Sequence, residues 1–158
     1  MVMENVASFL HSALPARLFT LHDYAMGVAV WQAAKQAGVP LHLNGRAAYG
    51  FISAPGAAGY MGVAAWQALV QAIAKQTGFS CPHILDCGPS AGYAAMAAGH
   101  GQSLIVLQND SAATKAVTAL YAQRGGHVFI TRPPSFDLIR AVSVPTHLAA
   151  YFSRSYCE

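Results

Sequence analysis

The sequence predicts a single α/β domain over residues 1–158. We expect three layers, in which helices cover both faces of a doubly wound, mostly parallel sheet of about five strands. Two observations lead to this prediction. Short apolar segments with strand character alternate with Ala- and Gly-rich segments of helical length, and the loops between them are short, with no linker or low-complexity tract. Such alternation is typical of parallel strands joined by right-handed helical crossovers.

The first half of the chain predicts one strand, two helices and an extended region between them. Residues 17–21 form the strand, and Asp23 caps a helix that runs to about Gln36 and ends at Gly38. Residues 41–53 are extended around Asn44-Gly45, a strong hairpin signal, and form either two antiparallel strands or one irregular region. Residues 57–76 form a single helix that ends at Gly78.

The second half predicts three strands, each followed by a helix or a break. The strands are residues 83–87, 104–107 and 127–131, and the helices are residues 90–99 and 111–123, the latter capped by Ser111 or Asp110. Pro133-Pro134 breaks the chain, and residues 136–142 and 146–152 form short helical elements. This order of elements is Rossmann-like.

Two segments of the chain repeat. Met26–Ala33 and Met61–Ala68 are identical at seven of eight positions, at a spacing of 35 residues. A shorter echo relates Ala58-Gly59-Tyr60 to Ala91-Gly92-Tyr93 at a spacing of 33. A period of this length matches one strand–helix unit and predicts a duplicated packing unit.

The composition limits the classes of partner. Charged residues make up 9% of the chain and hydrophobic residues 54%, so we expect apolar surface and a homo-oligomer, unless exposed alanines account for the excess. The net charge of +3 is spread without a basic stripe, which argues against nucleic acid. No apolar run reaches the length of a membrane span and no basic leader precedes the first apolar stretch, so a cytoplasmic protein is the default expectation.

Cysteine and histidine patterns predict neither a disulfide framework nor a metal site. The three cysteines form no C-x-x-C pair, and the seven histidines form no H-x-x-x-H pattern. The sequence leaves the identity of any cofactor undetermined.

Polar residues gather where the predicted strands end. They are His22-Asp23, Ser53, Asp86-Cys87-Gly88, Asn109-Asp110 and Thr131-Arg132. Ligands bind at this edge of open parallel sheets, but Asp, Ser and Asn also cap helices, and we expect capping for Asp23 and Asp110. Asp86 lies inside an apolar strand, where a carboxylate needs a partner or a cleft, so we expect a functional or network role for it.

Two glycine loops, residues 53–59 and 86–92, each join a predicted strand to a helix. Glycine permits close approach of a backbone to a ligand, and a helix N-terminus favours phosphate or carboxylate. The alternative is a pair of tight turns made of small residues. The predicted ligand-binding residues are Ser53, Gly56, Gly59, Asp86, Gly88, Ser90, Gly92, Asp110 and Arg132.

Gly88-Pro89-Ser90-Ala91-Gly92 resembles the nucleophile elbow of α/β-hydrolases. The resemblance implies Ser90 as nucleophile, Asp110 or Asp137 as acid, and His127 or His147 as base. The chain is short for that fold and shows no H-G-G-G oxyanion segment. Two further catalytic candidates come from the residues alone: Asp86, and Cys87 as a thiolate with His83 or His22 as base.

Residues 84–92 also resemble the first motif of class I methyltransferases, in which an acidic strand end leads into a glycine-rich turn for S-adenosylmethionine. That resemblance implies that Asp110 binds a ribose, although Ser90 replaces a glycine of the motif. The Ser53–Gly56 and Leu85–Gly88 segments together are similar to small uncharacterised bacterial α/β proteins with no assigned activity.

Three classes of function therefore stay open. The first is a domain of unknown function that binds a small molecule or anion at the strand ends. The second is a non-catalytic assembly protein that uses Trp31 and Trp66 for contact, and the third is a small serine hydrolase.

Overall fold

The computed structural model describes residues 14–140 and 144–153. Residues outside these ranges include most of the N-terminal stretch, Val142 and Cys157. The strands are β1 (Leu18–Leu21), β2 (His42–Leu43), β3 (Arg46–Ala47), β4 (Gly50–Ser53), β5 (His83–Asp86), β6 (Leu104–Val106), β7 (His127–Phe129) and β8 (Phe136–Asp137). The helices are α1 (Tyr24–Gln36), α2 (Ala57–Tyr60), α3 (Val63–Thr77), α4 (Ala91–Gly99), α5 (Ala112–Gln123), α6 (Val144–Ser153) and a 3₁₀ turn, Leu138–Arg140.

Six of the strands form one sheet in the order β7-β6-β5-β4-β1-β8, and β2 pairs with β3 in a separate hairpin. The pairs β1–β8, β5–β6 and β6–β7 are parallel. The fold is therefore α/β with a mostly parallel sheet, consistent with the predicted Rossmann-like three-layer class. No helix in the described ranges is long and apolar enough to cross a membrane.

The sheet has six strands rather than about five because Phe136–Asp137, predicted to begin a helix, is strand β8. The Phe136 ring packs edge-on against Phe19 of β1, with ring centroids 6.2 Å apart. Extended backbone places this ring beside β1 while Asp137 points to the opposite face. Packing of the ring against Phe19 therefore outweighs the helical pattern in the sequence.

The chain divides into two structural units. Among the described residues, the first contains 14–51, 72–82, 135–140 and 144–153, and the second contains 52–71 and 83–134. The core of the first unit is aromatic, with Phe19 packed against Phe136, Tyr151 and Phe152. The second unit is built on β5, β6 and β7, with fully buried Ile84, Leu85 and Ile105.

The hairpin predicted for Asn44-Gly45 forms, but it is shorter than the extended region around it. His42 and Leu43 pair antiparallel with Ala47 and Arg46. Asn44 and Gly45 have φ of 51° and 75°, as a two-residue turn of this type requires. Residues 50–53 belong instead to the large sheet, as β4.

The single helix predicted over residues 57–76 is two helices. Gly62 lies between α2 and α3 with φ of +90°, a left-handed conformation that interrupts the helical backbone. Its counterpart in the repeat, Gly27, lies within α1. The two repeat copies therefore do not have the same structure, although their sequences nearly match.

Most predicted caps are confirmed. Asp23 accepts a hydrogen bond from the Met26 amide, and Gly38, with φ of 67°, follows the end of α1. Ser111 caps α5 by accepting from the Thr114 amide, so the cap expected of Asp110 is wrong. The Asp110 side chain is thereby left for another role.

Candidate functional site

The carboxyl ends of β4 and β5, in the second unit, bring together five of the predicted ligand-binding residues: Ser53, Gly56, Asp86, Gly88 and Arg132. Asp86 lies at the centre, 1% exposed. Its Oδ1 accepts hydrogen bonds from the Gly56 amide at 3.0 Å and the Gly88 amide at 2.8 Å. One carboxylate oxygen thus holds both glycine loops.

Arg132 completes this network. It donates through one terminal nitrogen to Asp86 Oδ2 and through the other to the Ser53 carbonyl, both at 2.7 Å. The Ser53 hydroxyl accepts from the Asp86 amide at 2.8 Å and donates to the Ala54 carbonyl. An ion pair with additional hydrogen bonds is the arrangement that makes a buried carboxylate tolerable.

Glycine is required where the two loops meet. Gly56 and Gly88 have φ of 67° and 55°, and a Cβ on Gly88 would lie 3.7 Å from the Gly56 Cα. The amides predicted to bind a phosphate or carboxylate ligand point instead at Asp86. The Asp86 carboxylate is therefore the anion that these two amides bind. The prediction that the two loops bind a phosphate or carboxylate ligand loses its main support.

Ser90 caps helix α4. Its hydroxyl accepts a hydrogen bond from the Tyr93 amide at 3.2 Å. No histidine within residues 14–140 and 144–153 hydrogen-bonds to it, and Asp137 pairs with His22 rather than with His127 or His147. The hydrolase triad inferred from the elbow resemblance is not assembled in the described chain, and the local pattern is explained by capping.

Cys87 is buried beside Asp86. Burial, with the neighbouring Asp86 carboxylate, raises the pKa of its thiol to about 12. A reactive cysteine needs the opposite shift, because only the thiolate is nucleophilic. These properties favour a packing role for Cys87 over the thiolate hypothesis.

The remaining predicted residues lie apart from the network. Gly92 is exposed in the first turn of α4. A Cβ added to Gly59 would lie 3.4 Å from the Tyr93 ring. Trp66, expected on an assembly surface, is fully buried, so it forms no contact surface for a partner. Trp31 is only half-buried, with the Lys35 ammonium 5.1 Å from the centre of its ring.

Asp110 lines a cleft of about 850 Å³ at the carboxyl end of β6. The loop after β6 forms one side, helix α5 forms another, and Ile130 lies beyond β7. The lining residues are Gln108, Asn109, Asp110, Thr114, Lys115, Thr118, Ala119, Ala122 and Ile130. Asp86 is not among them.

Within the described ranges, the Asp110 carboxylate has no hydrogen-bond or ion-pair partner. Asn109 differs, because its side-chain amide donates to the Pro89 carbonyl at 3.0 Å and ties the loop after β6 to the loop after β5. Ile130 is 71% exposed. The cleft thus offers an unpaired carboxylate and an accessible apolar side chain.

Sequence reasoning missed the α5 face of this cleft. Lys115, Thr118, Ala119 and Ala122 follow the i, i+3, i+4, i+7 spacing of one helix face. That spacing can be recognised in the sequence, but an Ala-rich helix face is typical of a buried core and also of a surface with no binding role. Only the position of α5 beside the loop after β6 distinguishes it.

No protein-family model matches the chain, and comparison with curated proteins gives no match.

Proposed function

We propose that this protein binds a small organic molecule in the cleft at the carboxyl end of β6, where Asp110 accepts hydrogen bonds from the ligand. The observation that carries this proposal is the unpartnered Asp110 carboxylate in the lining of an 850 Å³ cleft, within the described part of the chain. Binding clefts in α/β sheets lie at this edge, and typical small-molecule sites combine apolar lining with a few polar groups.

The lining favours a particular class of ligand. Gln108, Asn109 and Asp110 supply polar groups at the strand end, whereas Ala119, Ala122 and Ile130 supply apolar surface. The Asp110 carboxylate offsets the positive charge of Lys115, the other charged residue of the lining, so the lining has no net positive charge to attract phosphate. A carboxylate accepts hydrogen bonds from hydroxyl or amine groups. We therefore favour a ligand with hydroxyls or amines beside an apolar or planar group, such as a nucleoside, over the free anion expected from the sequence.

The resemblance of residues 84–92 to the first methyltransferase motif supports the same choice, since it implies a ribose contact for Asp110. It supports the position of the carboxylate only. The glycine turn that would hold the rest of that cofactor is occupied by the Asp86 carboxylate. The proposal is accordingly for binding of a nucleoside-like molecule, with no reaction attached.

Saturation-transfer NMR with adenosine, together with phosphorus-31 line broadening of inorganic phosphate in a separate sample, tests the proposal. We expect transfer to adenosine in the wild-type chain and at least tenfold weaker binding in Asp110→Asn, because a hydrogen bond to a charged acceptor contributes about 1.5–3 kcal/mol. Ile130→Ser should weaken binding as well, through loss of apolar contact.

Asp23→Asn is the matched control, since it removes the same charge from a residue that does not line the cleft, and Asn caps helices as well as Asp does. Adenosine binding that is equal in the wild type, Asp110→Asn and Asp23→Asn would reject the role of Asp110. Binding of phosphate in preference to adenosine would reject the ligand class.

A further inference from the structure

A second group of polar side chains lies in the first unit, at the carboxyl ends of β1 and β8. These strands are parallel neighbours, with the Cα of Thr20 opposite that of Asp137. The His22 Nε2 lies 2.8 Å from Asp137 Oδ1, and the Thr20 and Ser135 hydroxyls lie 2.7 Å apart. Thr20 lies in β1 and His22 directly follows it, whereas Ser135 directly precedes β8 and Asp137 ends it, and the two contacts place these four side chains beside one another.

The Asp137 carboxylate is fixed by the backbone. Its Oδ1 also accepts a hydrogen bond from the Ile139 amide at 3.0 Å, at the start of the 3₁₀ turn. A carboxylate held in this way accepts from the Nε2–H of His22 and so sets the tautomer of the ring. The other ring nitrogen, Nδ1, is then the one with a lone pair.

The His22 ring is partly exposed to solvent. Its side chain is 23% exposed, and within residues 14–140 and 144–153 its Nδ1 has no hydrogen-bond partner. An imidazole with a carboxylate on one nitrogen and an open second nitrogen is the base–orienter arrangement used in acyl transfer. Surface pairs of this kind contribute little to stability, so stability alone gives little reason for the arrangement.

We propose that His22 is a general base at the ends of β1 and β8, with Asp137 as its positioning residue and small acyl esters as the substrate class. Water is the nucleophile. His22 Nδ1 takes a proton from water as the water oxygen bonds to the ester carbonyl carbon. The bond from that carbon to the leaving alkoxide then breaks, and the imidazolium returns the proton to the alkoxide. Ester and water become acid and alcohol, and no other reactant is needed.

Hydrolysis of 4-nitrophenyl acetate by the full chain tests this proposal. We expect the wild type to exceed the buffer rate and His22→Gln to lose at least tenfold of that excess, since a positioned base contributes about 10²–10⁴-fold. His100→Gln is the matched control, because His100 is an exposed histidine that bonds only locally, to the Met96 carbonyl. Its rate should equal that of the wild type.

Asp137→Ala distinguishes positioning from a merely structural role. Ala has no side-chain acceptor, so the Nε2–H of His22 loses the partner that fixes the ring proton on that nitrogen. Histidine ¹⁵N NMR should show His22 protonated at Nε2 in the wild type and a share of the Nδ1–H tautomer in Asp137→Ala, and the ester hydrolysis rate should fall at least tenfold. Asp137→Asn keeps an Oδ1 acceptor for both His22 and the Ile139 amide, so it should keep the tautomer of the wild type. Hydrolysis in His22→Gln equal to the wild type, or an unchanged tautomer in Asp137→Ala, would overturn the proposal.

Discussion

Asp86 shows how a residue that looks like part of a ligand site is used within the fold. Its two carboxylate oxygens bind the Gly56 and Gly88 amides and the Arg132 guanidinium, and it is almost completely buried. Each of these three donors loses this acceptor when the carboxylate is removed. The cost is large because one side of a buried ion pair is then missing.

Asp86→Ala should lower the free energy of unfolding by about 3–5 kcal/mol, the usual cost of breaking a buried ion pair. Added formate should restore part of this loss, because a small carboxylate can occupy the space between the two loops and Arg132. Urea unfolding with and without formate measures both effects, with Asp23→Asn as the control that formate leaves unchanged. A loss below about 1 kcal/mol would show that the network does not stabilise the fold.

Cys87 gives a second prediction, on reactivity. The raised pKa of about 12 keeps its thiol protonated at pH 8, and burial shields it. Cys81 has its pKa raised to about 12 in the same way, by burial. A Cys157→Ser chain should therefore react with a thiol-specific disulfide reagent only when guanidinium unfolds it. Rapid reaction of Cys87 in the native chain would contradict this.

Among the helices, the repeated Met-Gly-Val-Ala segments show that one sequence can serve two elements for different reasons. Gly27 lies inside α1, where a Cβ would collide with Ile73 Cδ1. Gly62 lies between α2 and α3, where a Cβ would meet nothing within 4 Å but φ is +90°. The first glycine is required by packing and the second by backbone conformation.

Double-mutant cycles separate these two reasons. Gly27→Ala should cost about 1–3 kcal/mol through overpacking, and Ile73→Val, which removes the crowding Cδ1, should recover at least ~0.5 kcal/mol of it. Gly62→Ala should cost about 1–2 kcal/mol through left-handed strain. Its cost should not change with Ile73→Val, since no packing is involved. Equal coupling in both cycles, measured by urea unfolding, would show that this distinction is wrong.

For the molecule as a whole, two histidines make stability depend on pH. His83 lies at the start of β5, with its Nδ1 3.2 Å from Gln102 Nε2, and burial lowers its pKa. Burial also lowers the pKa of His127, whose ring packs on Phe129. The unfolded chain binds protons more readily than the folded chain at both histidines. The stability that the two neutral rings contribute is therefore fully present above the unfolded pKa of about 6.5, and it is lost as the pH falls below that value.

The free energy of unfolding should therefore decrease between pH 7 and pH 5, and His83→Gln should make that decrease shallower. Gln at this position retains an acceptor for Gln102 without a titrating group. Urea titrations across this range measure the slope, and His100→Gln should keep the slope of the wild type. An equal slope in His83→Gln and the wild type would exclude His83 as a source of the pH dependence.

Local sequence is sufficient for the features that depend on nearby residues. The caps at Asp23 and Ser90, the turn at Asn44-Gly45 and the ends of most helices follow from local backbone preferences. The order of strands and helices is enough to predict that Ser53, Asp86 and Arg132 meet, because the carboxyl ends of parallel strands share one edge.

Long-range packing determines what those residues do once they meet. Whether Asp86 faces a ligand or an internal guanidinium depends on Arg132, 46 residues away, and the pairing of His22 with Asp137 joins residues 115 apart. Trp66 is fully buried while Trp31 is only half-buried, and Phe136 packs against Phe19 from an extended backbone. The local sequence does not distinguish the alternatives in any of these cases, because burial and pairing depend on distant contacts rather than on neighbouring residues.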